Sequence, residues 1–206
     1  MLSDKVPAVR LANDTIEVNP MPGPSRLPQD LEEAIRFHGH HCPGLSIGYR
    51  ASKIALERLG TERAADEELI AIVENDSCSA DGVQSVTGCT FGKGNFFFKD
   101  HGKQVFTFAL RPSGRAIRLA LRPAEQRPTV PDGDRAAAIT QMLDAPEDAL
   151  FDIAELTIEL PGRASIHPSV ACAACGEPTM ATRIREVDGR SLCIPCAERE
   201  TEGATP

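Results

Sequence analysis

The order of local patterns predicts an α+β fold: a mixed core of helices and a mostly antiparallel sheet, followed by a small C-terminal module rich in cysteine. Three observations carry that prediction. Helical and strand-like segments follow one another as α-α-β-α-β-β-β, without the steady alternation that builds a parallel sheet. Three strand-like runs in succession, Phe96 to Lys99, Gln104 to Leu110 and Ala116 to Arg122, are joined by the turns Asp100-His-Gly-Lys and Pro112-Ser-Gly, which reads as a meander. Beyond residue 167 the chain carries two Cys-x-x-Cys pairs separated by seventeen residues.

Taken in order, residues 1–27 contain four prolines and read as an N-terminal arm with room for one short strand. The core is expected over 28–165. Pro28-Gln-Asp-Leu-Glu-Glu-Ala-Ile-Arg-Phe reads as a helix, its acidic first turn matched to the positive end of the helix dipole. His38-Gly-His-His-Cys-Pro-Gly44 interrupts it. A second helix is expected from Pro43 to Leu59, with proline in the first turn and Gly60 as the stop. Leu69 to Glu74 reads as a buried strand and 79–87 as a short helix between loops. In the run 116–122, Ile117, Leu119 and Leu121 share one face, with Arg118 and Arg122 on the other. Residues 132–144 and 147–156 read as helices split by Pro146.

The C-terminal module is expected over 168–206. In Cys172-Ala-Ala-Cys175 and Cys193-Ile-Pro-Cys196, two intervening residues let both sulfurs of a pair reach one ion from a tight turn. Four thiolates make the closed tetrahedral shell of a structural zinc, with no position left for a substrate. Between the pairs, Met180 to Val187, Asp188-Gly189 and Arg190 to Leu192 read as a hairpin on an Asp-Gly turn, and a helix is expected after Cys196. Knuckle, hairpin, knuckle, helix is the treble-clef or zinc-ribbon order.

Composition narrows the functional classes. The 206 residues include seven cysteines, an odd number that argues against a closed disulfide framework and for metal ligation in a reducing compartment. No long apolar run and no signal-like start are present, so a cytoplasmic protein without a membrane span is expected. The net charge of −8 is uneven: +1 over 31–127, −6 over 128–167 and −2 over 168–206. No region has the basic excess of a nucleic-acid footprint, which counts against a zinc-finger regulator of nucleic acid.

The upstream candidates are concentrated. Three of five histidines, His38, His40 and His41, lie beside Cys42. Imidazole and thiolate select zinc, iron, copper or nickel, and residues two apart can chelate together from an extended segment. Cys42 and Cys78 each precede or open a helix, where the dipole favours a thiolate suited to ligation or nucleophilic attack. Asp81 and Gln84 share a face of the short helix. Cys89 leads into a loop with glycines at 88, 92 and 94, where Lys93 is placed to meet an anionic ligand. The Walker spacing of a phosphate loop is absent.

Phe37-His-Gly-His-His-Cys-Pro-Gly-Leu-Ser-Ile-Gly-Tyr-Arg50, Asp76-Ser-Cys-Ser-Ala-Asp-Gly-Val-Gln84 and Thr87-Gly-Cys-Thr-Phe-Gly-Lys-Gly-Asn95 together resemble the formylmethanofuran dehydrogenase FmdE family over about residues 30–160. The resemblance implies an α+β core, usually dimeric, with a cleft lined by these motifs, and often a C-terminal zinc finger. It places His38, His40, Cys42, Cys78, Asp81, Gln84, Cys89 and Lys93 at the family's site. On this reading His38, His40, Cys78 and Cys89 hold a second transition metal (zinc, nickel or iron), and Cys42, Asp81, Gln84 and Lys93 serve the chemistry. The expected roles are a metal-dependent redox or C1-metabolism enzyme or subunit, or an accessory, metal-handling protein for a molybdenum or tungsten enzyme. The expected partners are a second copy of the chain and subunits of such an oxidoreductase.

Overall fold

A computed structural model of the chain describes residues 27–131 and 133–202. The expected arm, up to residue 26, lies outside them. Two helices open the fold, α1 (Gln29–His38) and α2 (Pro43–Leu59), followed by β1 (Leu69–Val73) and α3 (Cys78–Thr87). Then come β2 (Phe96–Phe98), β3 (Val105–Leu110), β4 (Arg115–Leu121), α4 (Arg135–Asp144), the single turn α5 (Glu147–Leu150) and β5 (Phe151–Thr157). The five strands form one sheet in the order β2-β1-β3-β4-β5. Three of the four pairings are antiparallel, and β1 with β2 is parallel.

Two expectations are corrected. The run 96–122 is not a meander, because β1 sits between β2 and β3. Ala71 pairs with Phe96 on one side and Phe108 on the other, so a strand buried at every position becomes the centre of the sheet. The expected helix 147–156 lasts one turn and becomes β5. Its Ala, Glu and Leu favour a helix, but Phe151 and Ile153 alternate toward the core, and pairing from Leu121↔Phe151 to Arg115↔Thr157 overrides local propensity.

The core lies between the helices and one face of the sheet. Phe106, Phe108, Ile117 and Leu119 meet Ile54, Leu59, Val83 and Met142 there, all nearly or fully buried. A smaller cluster packs α1 on α2 and α3 through Leu31, Ala34, Leu45, Tyr49 and Val86. The opposite face of the sheet (Ile70, Ile72, Ala109, Ala116) is covered by the chain after β5, through Ile158 and Leu160. That segment is strapped down. Arg111 donates to the Pro161 and Gly162 carbonyls (2.7 and 3.1 Å), and the Ala164 amide donates to Glu67 (3.2 Å).

Beyond the strap, β6 (Ser169–Ala171) pairs with β7 (Pro178–Met180) around the first cysteine pair. The strands β8 (Ile184–Val187) and β9 (Arg190–Cys193) form the expected hairpin, with Asp188 and Gly189 both at positive φ (50° and 74°), as a two-residue hairpin turn requires. Helix α6 (Ile194–Glu202) starts before Cys196 instead of after it, so the second pair lies on the helix's first turn. Among the described residues, no helix is long and apolar enough to cross a membrane.

Candidate metal centres and cleft

Two groups of side chains bring metal-ligating atoms within 4.8 Å of one another: Cys172, Cys175, Cys193 and Cys196 in the C-terminal module, and His38, His40, Cys42 and Cys78 in the core.

In the module all four expected ligands converge. The Cys172 sulfur accepts the Cys193 amide (3.3 Å), Cys175 and Cys193 sulfurs lie 3.9 Å apart, and Arg199 reaches the Cys196 sulfur at 3.0 Å. Backbone N–H donation from Cys175, Cys193 and Ala174 brings the Cys172 thiol down to about 6. For Cys175 the donation from the Glu177 N–H is outweighed by desolvation and by the neighbouring thiols, which push it up to about 12. A first thiolate is therefore cheap in this cluster and further ones are resisted, until a cation supplies the missing charge. Sulfur ligands about 2.3 Å from a tetrahedral ion lie about 3.8 Å apart, which the Cys175–Cys193 separation matches. The donor set fits zinc.

In the core, three helix ends converge. Helices α2 and α3 cross where neither carries a side chain. A Cβ on Gly48 would collide with the Ser79 carbonyl oxygen, and one on Gly82 would stand 2.7 Å from the Leu45 oxygen. That backbone-to-backbone approach brings the two N-termini together, with Cys42 capping α2 and Cys78 opening α3. A Cβ on Gly44 would lie 3.8 Å from the Cys78 sulfur and 3.9 Å from the Cys42 sulfur, so glycine there keeps the space between them clear. The C-terminus of α1 supplies His38. Gly39, at φ 93°, then reverses the chain so that the His40 ring stacks 4.4 Å from that of His38. His38 Nδ1 donates to Asp81 (2.7 Å), which turns Nε2 toward the Cys42 sulfur at 3.8 Å. A carboxylate on the far nitrogen fixes a ligand histidine's tautomer and orientation.

A buried polar network sets the start of α3. Asn75 accepts from the Ser77 and Ser79 hydroxyls (2.8 and 2.9 Å) and donates to the Lys103 carbonyl (2.9 Å), while Gln104 donates to Ser77 (2.8 Å). Sequence reasoning missed all four of these side chains. It also missed the two helix glycines, although an isolated glycine inside a helical pattern is a signal of close approach.

Other expected residues lie elsewhere. Cys89 is fully buried in the sheet–helix core, its thiol donates to the Leu69 carbonyl (3.5 Å), and burial pushes it up to about 11. It is outside the ligand cluster because its side chain points into the apolar core. Lys93 does not face the cluster either. Its ammonium donates to the carbonyls of Ala64, Ala65 and Asp66 (3.1, 3.4 and 3.2 Å), holding that loop. His41 turns to Ser46 (3.0 Å) and is lowered by burial and by Arg135. The expected dipole-stabilised thiolate at Cys78 is reversed in sign: desolvation, then the Cys42 thiol beside it, raises its pKa.

Beside the cluster opens a cleft of about 400 Å³. His38, Cys78, Asp81 and Gln84 line one wall, and Phe91, Phe96 and Phe98 line another. Gln84, one turn after Asp81, therefore faces the same space as expected. A larger concavity of about 510 Å³, between Pro43 and Met142, contains none of these ligands and does not adjoin the chemistry.

A family model described as "FmdE, Molybdenum formylmethanofuran dehydrogenase operon" matches residues 37–152, which contain the whole core cluster and cleft. The chain belongs to the FmdE family. Residues 165–202 of this FmdE protein match the prokaryotic dksA/traR C4-type zinc finger, in agreement with the four-cysteine group. A probable S-adenosyl-L-methionine-binding protein of Archaeoglobus fulgidus is 32% identical, over 88% of this chain and 55% of that protein. The chain thus spans about half the length of the curated relative it matches. Among solved structures, an FmdE-like protein of tungsten formylmethanofuran dehydrogenase from Syntrophus aciditrophicus aligns with a TM-score of 0.61 at 21% identity, over 85% of this chain and 92% of that one, and so shares the FmdE fold.

Proposed function

We propose that this FmdE protein is a metal-dependent enzyme or enzyme subunit of redox or C1 metabolism. Its working ion (zinc, nickel or iron) is held by His38, His40, Cys42 and Cys78, and its C-terminal cysteines hold a structural zinc in a treble-clef arrangement. The observation that carries the reading is the convergence of four soft donors on one point at the edge of a cleft, with Asp81 fixing the tautomer of His38. The His38–Cys42 separation of 3.8 Å is close to the edge of about 3.5 Å expected for mixed nitrogen and sulfur ligands of a tetrahedral ion, so the residues fit such an ion. A bound ion supplies Lewis acidity at the cleft wall. Asp81 orients His38 and is placed to take a proton from it, and Gln84 offers an amide to whatever enters. The proposed units are the core at 28–165 and the finger from 168, with the core forming a homodimer.

A second reading, an accessory or metal-handling protein serving a molybdenum or tungsten oxidoreductase, is favoured by the donor count, since four protein ligands already complete a tetrahedral shell. Elemental analysis of the full chain tests the shared premise: two metal ions per chain are expected, falling to one in His38→Ala/His40→Ala. A wild-type value of one ion rejects the core site. Rapid transfer of the core ion to a chelator, with no turnover, favours handling over catalysis. Sedimentation at tens of micromolar tests the dimer.

A further inference from the structure

We propose that the cleft beside the core cluster binds a flat heteroaromatic molecule that is neutral or cationic, and discriminates against anions. Three features point there. The first is a stacking wall. Phe91 is 63% and Phe98 41% exposed, flanking the buried Phe96, whose ring lies 4.8 Å from that of Phe91 at 59°. A scattered exposed phenylalanine is ordinary on a protein surface, but three lining one side of a concavity of about 400 Å³ form a surface for a planar ring.

The second feature is charge. The cleft is lined by the carboxylates of Asp76 and Asp81, and no lysine or arginine is among the described residues that line it. Asp76 is exposed, and the one cation that the local sequence offered, Lys93, is tied to three backbone carbonyls. Phenylalanine faces carry the negative part of the ring quadrupole and add to the same sign. A phosphate or carboxylate would meet two carboxylates with no counter-charge, whereas a cationic ring is attracted by both walls. The third feature is an edge reader. Gln84 brings an amide with two donors and an acceptor to the wall that carries Asp81, a match for the ring nitrogens and exocyclic amines of a heterocycle. The proposal rests on the metal-site reading only for the ligand's inner end, which would face the His38–Cys78 side.

The test varies charge while keeping the ring: adenosine (neutral), 1-methyladenosine (cationic at neutral pH) and adenosine monophosphate (anionic), titrated calorimetrically into the full chain. The protein contains no tryptophan, so Phe91→Trp adds a unique fluorescent reporter on the stacking wall. Adenosine is expected to bind at least about tenfold more tightly than the monophosphate, and 1-methyladenosine at least as tightly as adenosine. Phe91→Ala should weaken both nucleosides by about tenfold, on the scale of one base–aromatic stack. Asp76→Asn should narrow the gap between cation and anion.

The proposal is overturned if the monophosphate binds as tightly as adenosine, if none of the three saturates by about 1 mM, or if Phe91→Ala leaves nucleoside binding unchanged. It is likewise overturned if Phe91→Ala converts a dimer to monomer in sedimentation while no nucleoside binds, since the wall is then an interface between copies. Metal content measured on the same samples keeps the readings apart. Nucleoside binding with a single metal per chain upholds the ligand class and rejects the core metal, and two metals without nucleoside binding do the reverse.

Discussion

The C-terminal module and the core each gather four soft donors within 4.8 Å, yet they do so by different means. In the module the ligands themselves are the scaffold. Cys172, Cys193 and Cys196 make up much of its small buried cluster, together with Leu192 and Ala197, and without an ion little else would order it. In the core, the cluster is assembled by an independently packed structure: two helices in backbone contact at Gly48 and Gly82, a buried network around Asn75, and a sheet with its own apolar core. A fold that exists before the metal arrives can hold its donors beside a cleft. A fold made by its metal encloses it. That contrast separates a structural from a functional site more clearly than the identity of the ligands does.

The sharpest way to break the comparison is Cys172→Ser. Loss of one ligand should remove the module's zinc and with it folding free energy on the order of 10 kcal/mol, because metal binding and folding are one event in such modules. Limited proteolysis should then clip the chain beyond residue 164 while the core stays resistant. A mutant that keeps a protected C-terminus would show that the module has a fold of its own.

Gly48→Ala is the corresponding break in the core. The added methyl meets the Ser79 carbonyl and must push α3 off α2, at a cost of about 3 kcal/mol or more. Denaturation should register that loss, and elemental analysis should show the core ion released with the module's zinc retained. Equal loss from both sites would contradict a separately assembled core.

Acidity should affect the module steeply. Cys175, pushed up to about 12, and Cys193, raised from its ordinary value, are both protonated at neutral pH in the metal-free module. A raised thiol pKa means that the metal must displace a proton at every pH below it. Affinity therefore rises with pH, by about 100-fold per unit for two displaced protons. Zinc competition between pH 6 and 8 checks this, and a flat profile would mean that the thiolates exist before the ion binds.

Smaller effects sharpen the contrast. Asp81→Asn removes the carboxylate from His38 and should lower core metal affinity by about 10–100-fold, leaving the module untouched, as two-site competition titrations can show. Cys89→Ala should cost about 1 kcal/mol in stability and leave metal content unchanged, because that thiol fills core space and meets a carbonyl. A change in metal stoichiometry in this variant would return Cys89 to the ligand set.

The same contrast explains what the sequence made legible. Ligands close together in the chain announce themselves: both cysteine pairs of the module, the Asp188-Gly189 turn, and the His38-to-Cys42 run. Helix α2 could be bounded to the residue because proline and glycine punctuate both its ends. What was lost depended on side-chain direction or on distant pairing. Cys89 and Lys93 sit in a glycine-rich loop whose residues could face either way, and the structure turns one into the core and the other toward residues 64–66. The insertion of β1 between β2 and β3 left no trace in the turn Asp100-His-Gly-Lys, which reads as a hairpin. The strand β5 exists because β4 offered an open edge, a fact absent from its own Ala-, Glu- and Leu-containing sequence.

The strap across the back of the sheet has a consequence for the geography of the molecule. Ala164 is fastened to Glu67 and β6 begins at Ser169, so four residues, 165–168, bridge the two. Five Cα steps reach about 17 Å at full extension. The zinc module is thus kept on a short leash, and anything it captures is delivered to the neighbourhood of the core at an effective concentration in about the millimolar range, whatever its dilution in the surrounding solution.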